Sequence, residues 1–256
     1  MSDILDGKTV VVTGGASGLG RATAIGAARH GAKAVIIGDL LDSPREGGPP
    51  AQDEVAALGA VARFVRCDVT KRADVDALIA TASEFDGVDL LVANAGITAP
   101  SDGLEVLEAE YKRVLAVNLD GVLFSAQAAA QQMKALGKRG SIVLIASMGG
   151  ILGSRVTVAY STSKGGVVLM AKALADALGP DGIRVNSVSP GTIDTELVRS
   201  TPAITASAES FRIRTPLRRY AQASEIADAV AWLGSDLSSY VTATTLVVDG
   251  GLTGVL

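Results

Sequence analysis

Three side chains able to do chemistry lie close together in the middle of the chain. Ser147 follows the apolar run Ser141-Ile142-Val143-Leu144-Ile145-Ala146, and thirteen residues later Tyr160 opens the sequence Tyr-x-x-x-Lys that ends at Lys164. The apolar run reads as a buried strand, which puts Ser147 at that strand's C-terminal end, and Tyr160 begins a helical segment ending near Leu178. Residues four apart share a helix face, so the Lys164 ammonium comes near the Tyr160 phenol. A neighbouring cation stabilises a phenolate, so the lysine is expected to lower a tyrosine pKa that is otherwise about 10. A phenol tuned in this way acts as a general acid or base near neutral pH. The same spacing also occurs as a plain contact on an exposed helix, and only a cofactor site elsewhere in the chain separates the two readings.

Such a site is suggested upstream. The β-branched run Lys8-Thr9-Val10-Val11-Val12-Thr13 leads without a gap into Gly14-Gly15-Ala16-Ser17-Gly18-Leu19-Gly20, then an alanine-rich helical segment from Arg21 to His30, then the apolar run Ala34-Val35-Ile36-Ile37-Gly38-Asp39. In a strand, glycine turn, helix, strand unit the glycines let the backbone approach a pyrophosphate, and the helix N-terminus offers free N–H groups and a positive dipole end. Asp39 closes the second strand nineteen residues after Gly20, where a carboxylate accepts hydrogen bonds from an adenosine ribose and repels a 2′-phosphate. The places where a basic residue would favour NADP hold Ser17 and Leu40, so NAD is expected over NADP. Arg45, in the following loop, is the counter-signal.

Composition bounds the rest. The chain has 256 residues, 48% of them hydrophobic, and a formal net charge of −4. That balance gives no electrostatic footprint for nucleic acid or an anionic membrane. No apolar run reaches the about 18 residues of a membrane span, and residues 1–6 carry neither a basic flank nor an apolar core, so a cytoplasmic protein is expected. The single Cys67 reads as a reduced, buried thiol. The single His30 excludes a multi-histidine metal site, and it precedes Gly31 where a cation suits a helix C-terminus. No metal is expected.

Further strands are expected at Val61–Cys67, Val88–Ala93, Ile183–Val188 and Thr244–Val248, with helices to Leu58, over Ala73–Phe85, over Ala109–Leu136 and over Ser224–Leu233. Two readings stand for Asp68, an acceptor for an adenine amino group or a cap for the next helix. Asn94-Ala95-Gly96 puts small residues at a strand end, where Asn94 can bond backbone across strands. Asn118 is awkward inside a helix yet has apolar neighbours, so its amide needs buried partners, of which a water chain is one. Ser189-Pro190-Gly191-Thr192-Ile193-Asp194-Thr195 turns the chain out of the sheet at the edge where ligands of open α/β sheets bind. The aperiodic stretch that follows reads as a substrate loop over about 192–219, and Arg199, Arg212 and Arg214 within it read as solvated charge. The Pro/Gly-rich loop at 43–50 reads as a tolerated surface excursion, with a local insertion near the adenosine end as the other reading. Seven strands alternating with helices make a single domain over 1–256, a doubly wound seven-stranded parallel sheet with helices on both faces.

The order of these elements closely resembles the short-chain dehydrogenase/reductase family from Gly7 to Gly251. The pattern Thr-Gly-x-x-x-Gly-x-Gly is met by Thr13, Gly14, Gly18 and Gly20, and Asn94-Ala95-Gly96, Asn118, Ser147, Tyr160, Lys164 and Pro190-Gly191 follow at suitable spacings. Two departures are Ala93, where the family often has a second asparagine, and the long loop at 43–50. The resemblance implies a Rossmann fold and roles for matching residues. Tyr160 would exchange a proton with the substrate oxygen, Ser147 would polarise that oxygen, and Lys164 would bind the nicotinamide ribose. Asn118 would hold a water in the proton relay. Cofactor contacts would come from Gly14, Ser17, Gly18, Leu19, Gly20, Asp39, Asp68, Val69, Asn94, Ala95, Gly96, Tyr160, Lys164, Pro190, Gly191, the Ile193 backbone and Thr195. The expected activity is NAD-dependent interconversion of a secondary alcohol and a ketone, by a homotetramer whose apolar C-terminus Leu252–Leu256 suits an interface. A 3-oxoacyl carrier-protein or coenzyme A reductase, docking its carrier on Lys134, Lys138, Arg139 and Lys172, is the alternative. A catalytically silent dinucleotide sensor or scaffold is the second.

Overall fold

The computed structural model describes residues 3–99, 101–194 and 209–255. Thr195, Arg199 and the rest of 195–208, half of the expected substrate loop, lie outside the described residues, as does Leu256.

Seven strands form one parallel sheet in the order β3-β2-β1-β4-β5-β6-β7: β1 Thr9–Thr13, β2 Ala34–Asp39, β3 Val61–Arg66, β4 Leu90–Ala93, β5 Gly140–Ile145, β6 Ile183–Pro190 and β7 Thr245–Val248. The main helices are α1 Gly18–Arg29, α2 Ala51–Ala57, α3 Arg72–Thr81, α4 Glu108–Leu115, α5 Gly121–Ala135, α6 Val158–Leu178 and α7 Ala223–Gly234. Strands buried on both faces read as continuous apolar runs, and their side chains divide between the faces with period two. Val11, Ile36, Leu91, Ile142 and Leu144 pack against α3, α5 and α6 on one side. Val10, Val12, Val35, Ile37, Val92 and Val143 pack against α1, α2 and α7 on the other. The strand order reverses between β1 and β4, and the crevice beyond their C-terminal ends is where ligands of such sheets bind.

Four segments differ from expectation. The single helix expected over Ala109–Leu136 is α4 and α5 joined by a π-helical turn at Ala116–Asp120. One extra residue in that turn carries Asn118 to a fully buried position without ending the helix. The helix expected to reach Phe85 ends at Thr81 and tightens into a 3₁₀ turn over Ala82–Phe85. Strand β6 runs through Pro190, which pairs in register with Val248, and the chain leaves the sheet at Gly191. A proline lacks only the N–H, so it is tolerated at a strand end. Residues 209–214, expected to lack periodicity, are helical.

Candidate active site

Strand β5 ends at Ile145, and Ser147 continues beyond it with extended backbone. The Gly149 N–H donates to Ser147 Oγ at 3.0 Å. That bond occupies a lone pair of the hydroxyl and leaves its hydrogen free to donate. Gly149 and Gly150, unremarked among the sequence motifs, are what lets this turn lie on α6. A Cβ at Gly150 would stand 2.6 Å from the Lys164 carbonyl carbon, and one at Gly149 would stand 3.5 Å from the Tyr160 ring. Two consecutive glycines, separated from a strand-end serine by Met148 alone, were the available signal.

Helix α6 brings Tyr160 and Lys164 under that turn on one face. The Lys164 ammonium is 5.7 Å from the Tyr160 ring centroid and donates to the Ile145 carbonyl oxygen at 2.7 Å. Lys164 is 3% exposed, and burial pulls its pKa down to about 8. The Tyr160 phenol is pushed above its ordinary value by burial, with a hydrogen bond involving Ser147 acting in the opposite direction. The expected lowering of Tyr160 by Lys164 is therefore corrected: desolvation penalises the phenolate, and the ammonium is engaged by a strand carbonyl.

Asn118 Oδ1 accepts from the Ile97 N–H at 2.8 Å, and Nδ2 donates to Ile97 O at 2.9 Å and to Ser163 Oγ at 3.2 Å. Its amide thus ties the chain after Asn94-Ala95-Gly96 to α6. A water partner is not needed to satisfy the side-chain donors.

At the far end of the same cleft the glycine turn is built for close packing. A Cβ at Gly20 would stand 2.0 Å from Gly14 O, and one at Gly14 would stand 2.8 Å from Ala95 Cα. Asn94 Nδ2 donates to the carbonyls of Thr13 and Gly14 at 3.0 and 3.1 Å, the cross-strand bonding its position predicts. Asp39 accepts from Ala16 N at 3.0 Å and from Leu40 N at 2.8 Å, which fixes its carboxylate at the end of β2. Asp68 accepts from the N–H and hydroxyl of Thr70 in the turn before α3, whose N-cap is Lys71, and it also lines the cleft. Leu19 and Val69 line the cleft too. Cys67 is buried, with its thiol pushed up to about 12, so it stays protonated and inert.

The loop at 43–50 is more than a tolerated surface excursion. Its Arg45 N–H donates to Ser17 Oγ at 2.9 Å, and Glu46 Oε1 accepts from Gly18 N at 2.8 Å. Both residues line the cleft. The position of a loop twenty-five residues beyond the turn depends on tertiary docking, and the sequence signal was limited to its proximity to Asp39.

Beyond Pro190, Gly191 packs so tightly on Asp249 that a Cβ would stand 2.7 Å from its Cα. A parallel bridge joins Ile193 to Ala221 through Ala221 N to Thr192 O and Asp194 N to Ala221 O, which leaves the N–H of Ile193 itself outside that bridge. Thr192 Oγ1 is buried with no hydrogen-bond partner among the described residues. It lines the cleft, and the sequence motifs passed over it in favour of its neighbours.

One cleft of about 420 Å³ runs from Asp39 past Gly14 and Gly96 to Ser147, Tyr160, Lys164 and Thr192, while the buried Asn118 is not among the residues that line it. The glycine cradle, the fixed carboxylate and the unsatisfied Thr192 hydroxyl fit a dinucleotide with its adenosine at Asp39 and its nicotinamide beside Tyr160. His30 Nε2 lies 2.9 Å from Asp228 Oδ1 at the end of α1 and takes no part in the cleft. Among the described residues no group of three or more His, Cys, Asp or Glu could hold a metal ion, and no helix is long and apolar enough to cross a membrane. Arg212 pairs with Glu209 and Arg214 is exposed, as solvated charge would be. Lys134 pairs with Asp181 and Lys138 with Asp89. Leu252 is buried within the chain itself, while Val255 is exposed.

The comparisons with known proteins agree with this geometry. A family model described as enoyl-(acyl carrier protein) reductase matches residues 14–253. An L-rhamnose 1-dehydrogenase (NAD(P)(+)) from Sphingomonas sp. (strain SKA58) is 41% identical over 250 residues, covering 97% of each chain. A cis-4-hydroxycyclohexanecarboxylate dehydrogenase from Sinomonas cyclohexanicum is 40% identical over 257 residues and the full length of both chains. The crystal structure of a short-chain type dehydrogenase/reductase from Mycobacterium marinum superposes with a TM-score of 0.89 at 36% identity, over 97% of this chain and 96% of that one. With a glycine turn, a strand-end serine and a Tyr-x-x-x-Lys helix meeting in one cleft, the chain belongs to the short-chain dehydrogenase/reductase family of NAD(P)-dependent oxidoreductases.

Proposed function

We propose that this chain interconverts a secondary alcohol and its ketone, that the hydroxyl of its substrate sits on a ring, and that NAD is preferred to NADP. The observation that carries this reading is the meeting of Ser147, Tyr160 and Lys164 at one end of a cleft whose other end is Asp39. When bound, NAD(P) supplies or accepts the hydride. Tyr160, protonated at neutral pH, gives its proton to the carbonyl oxygen in reduction and receives it from the alcohol in oxidation. Ser147, whose oxygen is held by Gly149, donates its hydroxyl hydrogen to that same oxygen and orients it. Lys164, anchored on Ile145, supplies the positive charge that supports the phenolate when the proton has left, and it would hold the nicotinamide ribose of a bound dinucleotide.

The Asp39 carboxylate, locked by two backbone N–H groups, supports NAD, because its charge opposes a 2′-phosphate. The names of two relatives, a dehydrogenase of L-rhamnose and one of a hydroxylated cyclohexane carboxylate, support a ring-borne hydroxyl. The ion pairs of Lys134 and Lys138 count against an acyl-carrier substrate, since docking an acidic carrier there would have to compete with Asp181 and Asp89. Absorbance at the nicotinamide band, followed with a panel of sugars, cyclic alcohols and ketones and both cofactors in parallel, tests the reading. Turnover of ring alcohols that is faster with NAD is the expected result, and no turnover with either cofactor across the panel overturns it.

A further inference from the structure

The loop at 43–50 places a carboxylate on the group that a dinucleotide's pyrophosphate needs. Gly18 is the first residue of α1, and its N–H belongs to the unsatisfied donors at the positive end of the helix dipole. Its φ is +54° and nothing lies within 4 Å of where a Cβ would stand, so this turn faces the open cleft. Glu46 Oε1 accepts that N–H at 2.8 Å.

The contact is held by a docked loop. Arg45 N donates to Ser17 Oγ, and the guanidinium of Arg21, on α1 itself, donates to Pro49 O at 3.2 Å while pairing with Glu54 at 3.0 Å. Pro44 is buried at the loop's start. Directly after Glu46 come Gly47 and Gly48, with φ of +79° and +93° and no atom within 3.8 Å of either Cβ position. Glycines in open space with left-handed backbone are where a chain changes direction at low cost. Glu46 itself is exposed, so its departure would uncover no core.

We propose that Glu46 is a built-in competitor for the dinucleotide: its carboxylate occupies the first N–H of α1 in the free enzyme, and the 43–50 loop is a latch, hinged at Gly47-Gly48, that opens when a pyrophosphate takes that N–H. One N–H cannot serve two anions, and a carboxylate left in place would repel the diphosphate. The latch lowers cofactor affinity by the fraction of time it is open; a loop closed nine-tenths of the time weakens binding about tenfold. Asp39 differs, because it accepts from Ala16 at the adenosine end, where a carboxylate is complementary to ribose hydroxyls.

The inference rests on the reading of the cleft as an NAD(P) site, and the test separates the two. Titration of the full chain with NADH and with NADPH, read by nucleotide fluorescence without substrate, is compared for the wild type, Glu46→Gln, Glu46→Ala and Asp42→Asn, with circular dichroism confirming the fold of each. Both Glu46 variants should bind NADH about three- to tenfold more tightly, while Asp42→Asn, which removes a charge immediately before the loop and not from the turn, should leave the Kd unchanged. Unchanged or weaker binding in the Glu46 variants overturns the latch and leaves the cofactor reading standing. Equal tightening by Asp42→Asn also overturns it, because the effect would then be general loop charge. A wild type that binds neither nucleotide overturns the cofactor reading itself.

Discussion

The Lys164 ammonium donates to the main-chain oxygen of Ile145 at 2.7 Å, so the lysine of α6 is bolted to the end of the strand that leads to Ser147. This bond ties the helix that carries Tyr160 to the strand that leads to Ser147, and it holds a buried cation at the sheet edge.

That burial has a pH signature. The folded-state pKa of Lys164 is lowered to about 8, whereas an unfolded lysine titrates near about 10.4. The unfolded chain therefore binds the extra proton across pH 8–10, and stability attributable to this residue rises with pH in that window; below about 8 the cost of burying the ammonium is fully present. Denaturation midpoints of wild type and Lys164→Met, measured from pH 7 to pH 10, should diverge in favour of the wild type by up to about 3 kcal/mol. A difference that stays flat would show that the ammonium is not desolvated.

Tyr160→Phe should lower kcat by about 10²- to 10⁴-fold while keeping NADH binding, because only the proton donor is removed. Since burial raises the phenol's pKa, alcohol oxidation by the wild type, which needs the phenolate, should speed up as pH rises above neutral, and ketone reduction should slow. Initial rates in both directions across pH check this; retained activity in Tyr160→Phe would remove the tyrosine from the proton path.

Asn118→Ala leaves the N–H and carbonyl of Ile97 without their amide partner inside the protein. A loss of about 2–4 kcal/mol in chemical denaturation is expected. Asn118→Asp, which keeps the acceptor for Ile97 N–H but cannot donate when ionised, should also lose stability. If both variants match the wild type, the Ile97 clamp is not a structural bond.

Gly20→Ala would press its methyl group to 2.0 Å from Gly14 O and 2.5 Å from Asn94 Nδ2. The turn has to shift, so NADH binding should be lost and stability should fall by about 1–3 kcal/mol or more. Gly179→Ala, whose Cβ would meet nothing within 4 Å, is the matched control and should bind NADH normally. Normal binding by Gly20→Ala would show that the turn tolerates a side chain.

The sequence by itself determined the sheet, the order of its elements and the meeting of Ser147, Tyr160 and Lys164 at one end of the cleft. Runs such as Val10-Val11-Val12 and Val35-Ile36-Ile37 are apolar throughout because both faces are covered, and Gly14, Gly18 and Gly20 between such a run and a helix admit few other uses. Local pattern suffices wherever each residue's environment is set by its near neighbours. The tertiary structure alone decided what depends on distant segments meeting. Asn118, twenty-one residues from Ile97, took its partners from another segment and widened a helix turn to reach them. Tyr160 gained a raised rather than a lowered pKa, because desolvation is a property of the whole fold and not of a four-residue spacing. Glu46, in a stretch that reads as a surface loop, came to rest on the first N–H of α1. Hydrogen bonding and burial between segments far apart in the chain leave no periodicity to read, and they decided both the desolvation of Tyr160 and Lys164 and the placing of Glu46 beside the glycine turn.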